Sequence, residues 1–200
     1  KSIKIALNAA LVKADLVHGG KKLPGDIMWG EMAIMRVMPN SGVRIDRSDP
    51  PRLGKLTDVD LGAYLEKGSM QVRTGLLTTK SKMSVSSNIA VTAVRGTAFQ
   101  VKAVSDGQVE IIVAEGTVAV KKTDPKPEDK EILVEAGQGL LFTGSSSDTP
   151  VTLPPENEVI WQLHALPTSG LAGYDTTQTL DDTVIDDIVM LNVTRDRKVK

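Results

Sequence analysis

The sequence predicts a mostly β protein, and three observations carry that expectation. In Thr97-Ala98-Phe99-Gln100-Val101, Phe99 and Val101 share one face while Ala98 and Gln100 take the other, the period of a strand with one buried side. A second run rich in β-branched residues, Ile89–Val94, precedes it across a single Arg-Gly-Thr. Gly96, between the two runs, marks a bulge, a tight bend or the close approach of another backbone. The third observation is a weak internal repeat. Gly68-Ser69-Met70-Gln71-Val72 and Gly116-Thr117-Val118-Ala119-Val120 each read glycine, hydroxyl residue, then apolar-x-Val, and Gly96-Thr97-Ala98-Phe99-Gln100-Val101 is a looser copy. The spacings are too irregular for a strict repeat array. They suit an all-β domain, either a solenoid-like stack or a twisted double sheet, in which a glycine turns each corner.

Taken in order, Ile3-Lys4-Ile5 starts a strand, and Ala6–Val17 reads as either helix or strand. Gly19-Gly20-Lys21-Lys22 and Pro24-Gly25-Asp26 are turn chemistry. Met28, Met32, Met35 and Met38 recur at a helical spacing. Three readings follow: an adaptable methionine-lined groove, core packing, or two short strands broken at Gly30. Core filler is favoured over the groove. Residues 46–60 are polar and proline-bearing, the composition of a solvated loop.

Further on, Asp106-Gly107 is a tight-turn dipeptide introducing a strand at Val109–Val113. A charged loop from Lys121 to Lys130 joins it to Glu131–Glu135, and Ala136-Gly137-Gln138-Gly139 turns the sheet toward Leu140–Thr143. Gly144–Pro150 has the composition of a linker. Beyond it, Val159, Ile160, Leu163 and Leu166 after Glu156 and Glu158 predict a short amphipathic helix near 156–166, stopped before Pro167. The tail from Leu171 to Lys200 alternates acidic pairs with Val184-Ile185 and Ile188-Val189-Met190-Leu191. It is too apolar for simple disorder, so it is expected to pack on its own body or on another subunit. Trp161, Ile188, Met190 and Leu191 are the candidate partner contacts.

Two hundred residues without a composition break suit one domain with an appendage. The expected division is 1–145 for the β domain and 146–200 for linker, helix and acidic-apolar extension. With two Trp, two Tyr and two Phe, the core must come from Val, Ile, Leu, Ala and Met. A net charge of −1 offers no field for a polyanion or an acidic membrane. Residues 1–60 hold ten Lys/Arg against seven Asp/Glu, and 151–200 hold four against eight, so a basic front and an acidic end are able to meet within or between molecules. Cysteine is absent, which excludes thiol catalysis, disulfides and Cys-ligated zinc. No run approaches the roughly 20 apolar residues of a membrane helix.

No catalytic constellation emerges, and neither a cofactor nor a metal is expected. His18 and His164 sit in no ligand or triad spacing. The serines form no Gly-x-Ser-x-Gly elbow, and no glycine-rich phosphate loop is present. The C-terminal acidic pairs lack the glycine-punctuated loop of a calcium site and read as a solvated face. Nucleic-acid binding requires a basic, aromatic surface, which this composition does not supply. Arg95 is either a partner-binding anchor or a structural ion pair or carbonyl clamp at the bend; the structural role is favoured.

Ala90-Val91-Thr92-Ala93-Val94-Arg95-Gly96-Thr97-Ala98-Phe99-Gln100-Val101 resembles the signature of the FecR domain. Glu115-Gly116-Thr117-Val118-Ala119-Val120 and Val134-Glu135-Ala136-Gly137-Gln138 are similar to the two elements that follow it in that family, and Leu23-Pro24-Gly25-Asp26-Ile27 to its early Gly-Asp turn. The resemblance spans about residues 20–145. Its motif residues are Val94, Arg95, Gly96, Thr97, Phe99, Val101, Gly116, Gly137 and Gln138, each with a structural role. It favours strands over 6–17 and the two-strand reading of 24–38. It also implies an extracytoplasmic, periplasmic setting, with the chain as a mature form whose signal has been removed.

The function expected first is a non-enzymatic structural or protein-interaction subunit of a bacterial envelope assembly, such as a coat of a periplasmic filament like the flagellum. Its partners would be other proteins of that assembly, in homo- or hetero-oligomers, with no nucleic acid and no membrane span. Two alternatives stand beside it. One is the FecR-type regulator linking an outer-membrane receptor to a sigma factor, a role that in full-length relatives goes with a cytoplasmic segment and one membrane helix. The other is a peptidoglycan- or glycan-binding module using Trp29 and Trp161.

Overall fold

The computed structural model describes residues 2–4, 13, 15–22, 24–29, 33–49, 58–75, 80–94, 96–153 and 192–194. These residues form two β-sheets, and no helix occurs among them. The nine-stranded sheet, A, contains β1 (Ser2–Lys4), β2 (Leu16–His18), β5 (Gly42–Asp49), β6 (Asp60–Lys67), β8 (Lys82–Ser86), β9 (Ala90–Val94), β12 (Thr117–Lys122), β13 (Ile132–Glu135) and β16 (Asn192–Thr194). The seven-stranded sheet, B, contains β3 (Gly25–Trp29), β4 (Ala33–Val37), β7 (Ser69–Thr74), β10 (Ala98–Ser105), β11 (Gln108–Glu115), β14 (Gln138–Phe142) and β15 (Val151–Thr152). Sheet A is ordered β1-β16-β2-β5-β6-β8-β9-β12-β13, and sheet B β15-β14-β11-β10-β7-β4-β3. Pairing is antiparallel except between β6 and β8. That parallel pair is possible because the chain leaves sheet A after β6, runs through β7 in sheet B, and returns.

The chain changes sheets at residues with positive φ. Gly68 (φ 77°) lies between β6 and β7, Gly96 (62°) between β9 and β10, Gly116 (77°) between β11 and β12, and Gly137 (78°) between β13 and β14. Between β4 and β5 the same task falls to Asn40 (φ 59°), one of the few non-glycine types that tolerate this region. The ribbons therefore bend from one sheet into the other while staying paired: β4 pairs with β7 and β5 with β6, and β10 pairs with β11 and β9 with β12. Bends of this kind form the corners of stacked sheets. The expected corner glycines at 68, 96 and 116 are observed, and the twisted double sheet is the architecture found.

The core lies between the sheets and is built from alternate residues of each strand. Sheet B contributes Met35, Val72, Phe99, Ile111 and Leu140, and sheet A contributes Ile45, Leu61, Val85, Val118 and Val134, all buried. Phe99 is 0% exposed, so the one aromatic of the central signature is committed to packing. Aliphatic residues supply nearly all of the rest, as the composition required.

Several local expectations change. Gly25 and Asp26 belong to strand β3 rather than a turn, because Gly25 pairs with Val37 and Asp26 with Arg36. Residues 42–49 and 60–67 are strands, which shortens the polar loop read at 46–60. The methionine spacing reflects two strands, β3 and β4, and Met35 is core. The stretch 144–150 is organised by Asp148, whose Oδ2 accepts from the backbone N–H of Thr143 (2.7 Å) and Ser145 (3.1 Å). The helix expected at 156–166 lies outside the described residues.

Candidate docking surfaces and the signature corner

The signature residues sit at one seam between the sheets. Val94 ends β9 in sheet A, and Ala98 begins β10 in sheet B, with Gly96 and Thr97 between them. The backbone N–H of Thr97 donates to Thr74 Oγ1 at 2.8 Å, and the N–H of Thr74 donates to the Thr97 carbonyl at 2.9 Å. This reciprocal pair ties the corner to the end of β7. Gly116 lies against the same corner: a Cβ there would stand 2.7 Å from the Gly96 carbonyl oxygen and 2.8 Å from Thr97 Cγ2.

The seam continues into the next ribbon. The N–H of Ala136 donates to the Gly116 carbonyl at 3.0 Å, and that of Gly137 to the Val113 carbonyl at 2.8 Å. Gln138 Oε1 accepts from the Glu135 N–H at 2.9 Å, closing the turn locally. Thr97 and Gly116 meet at this corner, Phe99 and Val101 lie in the core, and Gly137 and Gln138 belong to the next turn. Arg95 lies outside the described residues, as do Trp161, Ile188, Met190 and Leu191. His18 lies in β2 opposite Gly42, and His164 is outside the described residues.

Surfaces that other molecules can reach lie elsewhere. The outer face of sheet A carries a polar network among its own side chains. Arg44 contacts Asp46 (2.9 Å) and Glu66 (3.4 Å), with its guanidinium 4.4 Å from the Tyr64 ring centre. Arg47 contacts Asp60 (2.7 Å) and the Ser84 hydroxyl. Among the described residues β13 is the last strand of sheet A on its side, paired through Val118↔Val134 and Ala119↔Leu133 to β12 alone. Leu133 on its outer face is 55% exposed. An edge strand offers unpaired backbone N–H and C=O groups to an incoming strand. Beside it, Lys122 Nζ holds Asp129 at 2.6 Å and the Lys126 N–H reaches the same carboxyl at 2.9 Å. The Lys122 hydrogen bond, then that of the Lys126 backbone, keep the Asp129 pKa below the ordinary aspartate value.

Trp29 does not present a sugar-stacking face. It is 6% exposed, and its Nε1–H points to Ser48 Oγ at 3.4 Å across the two sheets. Among the described residues no three His, Asp or Glu side chains gather as metal ligands, and no helix is long and apolar enough to cross a membrane. The positive-φ corner glycines were the site signal that sequence carried. The edge position of β13 among the described residues was not legible as such, because strand order depends on partners far along the chain.

Comparison with known proteins places these observations in context. The family model described as FecR protein matches residues 26–119. Two crystal structures, at 1.65 Å and 2.50 Å resolution, of a protein provisionally described as an anti-sigma factor from Parabacteroides distasonis align with TM-score 0.49 and 14% identity. Each alignment covers 68% of this chain and 57% of the other, so the chain spans little more than half the length of those proteins. Comparison with curated proteins gives no match. The family match overturns the first functional expectation, a structural subunit such as a filament coat. Among the described residues the matched stretch forms an internal corner between the sheets at Gly96, Thr97 and Gly116.

Proposed function

From the premise that this chain is a FecR-domain protein, we propose that it is the extracytoplasmic part of a FecR-type regulator. In this role it relays the state of an outer-membrane receptor to a sigma factor. The observation that carries the reading is the family match across the corner where Gly96, Thr97 and Gly116 interlock. The domain works in the periplasm, by binding proteins rather than by catalysis, in keeping with a signature devoted to core and backbone. Residues 1–145 are its FecR-like body, and 146–200 an extension that returns β15 to sheet B and β16 to sheet A.

The docking edge in this reading is β13. A receptor segment in extended conformation adds there by main-chain hydrogen bonding, with Leu133 supplying an apolar contact. Isothermal titration of the chain with the periplasmic domain of its outer-membrane receptor tests the proposal. Saturable one-to-one binding that Leu133→Lys weakens at least tenfold is expected. Heat of dilution alone would remove the reading.

A further inference from the structure

The direction of the backbone groups on β13 follows from its ladder with β12. The N–H of Ala136 donates to the Gly116 carbonyl at 3.0 Å, and the register runs on through Val118↔Val134 and Val120↔Ile132. Hydrogen-bonded pairs alternate along an antiparallel ladder, so Ile132, Val134 and Ala136 engage their backbone groups with β12. Glu131, Leu133 and Glu135 turn theirs to the other side, where β13 has no neighbour among the described residues. Gln138 Oε1 accepts from the outward N–H of Glu135 at 2.9 Å. This cap closes one end of the edge and leaves Leu133 at its centre.

The same three residues share one side-chain face, because successive side chains of a strand alternate. Glu131, Leu133 and Glu135 are all exposed, while Val134 between them is buried. The outward face of the edge therefore reads acid, apolar, acid. The two acids are not equivalent. Glu131 holds Lys121 of β12 at 2.7 Å, whereas Glu135 stands opposite Thr117 and joins no ion pair among the described residues. A second copy of the chain is a poor occupant of this edge. Antiparallel pairing of two β13 strands with Leu133 opposite Leu133 sets Glu131 of each copy against Glu135 of the other, and like charges directly opposite are destabilising. Sliding the pair by two residues in either direction sets Leu133 against a carboxylate.

We propose that the strand docking on β13 carries a Lys or Arg two residues from an apolar one, the apolar residue facing Leu133 and the cation facing Glu135. This inference rests on β13 as the docking edge of the regulatory reading and adds the chemistry that the partner must bring. Opposed residues of neighbouring strands lie about 5 Å apart at Cβ, within reach of a charge-assisted hydrogen bond from a long basic side chain. Main-chain bonds to Leu133 supply affinity whatever the incoming sequence, and the side-chain pattern supplies the choice among sequences. An acidic strand meets repulsion at Glu135 and is selected against. Glu131, already neutralised by Lys121, contributes less to that choice.

The test titrates the full chain, followed by amide NMR, with two short peptides rich in β-branched residues. They differ only at the positions two places either side of a central valine, lysine in one and glutamate in the other. The lysine peptide is expected to shift the Leu133 and Glu135 amides with a Kd at least tenfold below that of the glutamate peptide. Glu135→Lys should reverse the order. Equal Kd values, an order that Glu135→Lys leaves unchanged, shifts confined to other strands, or no shift with either peptide overturn the proposal. The receptor titration separates this result from the regulatory reading. Receptor binding lost in Leu133→Lys without peptide discrimination leaves the docking edge standing and removes the charge rule. Peptide discrimination without any receptor binding upholds the charge rule and removes the regulatory reading.

Discussion

Gly116 and the Gly96 carbonyl oxygen meet so closely that a single added carbon on Gly116 would stand 2.7 Å from that oxygen. The contact joins two corners lying 20 residues apart, each with positive φ. It separates two costs that usually travel together, left-handed backbone strain and steric overlap. Gly137 has the same φ within a degree, yet nothing lies within 4 Å of its would-be Cβ.

Gly137→Ala should therefore cost about 1–2 kcal/mol, the left-handed penalty alone. Gly116→Ala adds backbone overlap that no side-chain rotation relieves, and should cost more than about 3 kcal/mol. Urea midpoints of the two variants measure the difference. Equal midpoints would mean that the corner opens freely.

The Thr74–Thr97 pair gives an asymmetric prediction. Thr74 Oγ1 accepts from the buried Thr97 N–H, so Thr74→Val orphans that donor and should cost about 1–3 kcal/mol. Thr97 Oγ1 is buried and has no hydrogen-bond partner among the described residues. Thr97→Val should then change stability by less than about 0.5 kcal/mol or increase it. Thermal denaturation of both variants decides the ordering.

Asp129 titrates below the ordinary aspartate range because Lys122 and the Lys126 N–H favour its charged form. A lowered folded-state value means that its contribution is complete above about pH 4. The contribution is lost as pH falls through the lower folded value. Carboxyl-carbon NMR shifts of Asp129 should titrate below an ordinary aspartate, and in the Lys122→Met variant the midpoint should move back up toward it. A midpoint above the ordinary value would contradict the geometry.

Leu133→Lys alters the exposed face of an edge strand, so the melting temperature should shift by no more than the equivalent of about 0.5 kcal/mol. Receptor binding should nevertheless fall at least tenfold. Circular dichroism melts and titration on the same preparation separate the two effects.

Local chemistry made part of this fold readable. Phe99 and Val101 alternate with Gln100, and the structure buries the first two in the core. Gly68, Gly96 and Gly116 were legible as corners because left-handed backbone selects glycine over nearly every other residue. Asn40 carries the same geometry without so strong a mark. Gly25-Asp26 looked like a turn, yet pairing with Val37 and Arg36 draws both into β3, a tertiary override of local preference. The burial of Gln71 was invisible for the same reason: nothing in Met70-Gln71-Val72 tells which face will be covered. Trp29 looked available for sugar stacking, and its place between the sheets is set by partners distant in sequence.

The most direct test of the regulatory account is to delete the gene in its host and measure transcripts of the sigma factor's targets with and without the receptor's inducer. The account predicts that transcription no longer follows the inducer, and that the wild-type gene restores the response while the Leu133→Lys gene does not. Inducer-dependent transcription that survives the deletion unchanged would contradict it.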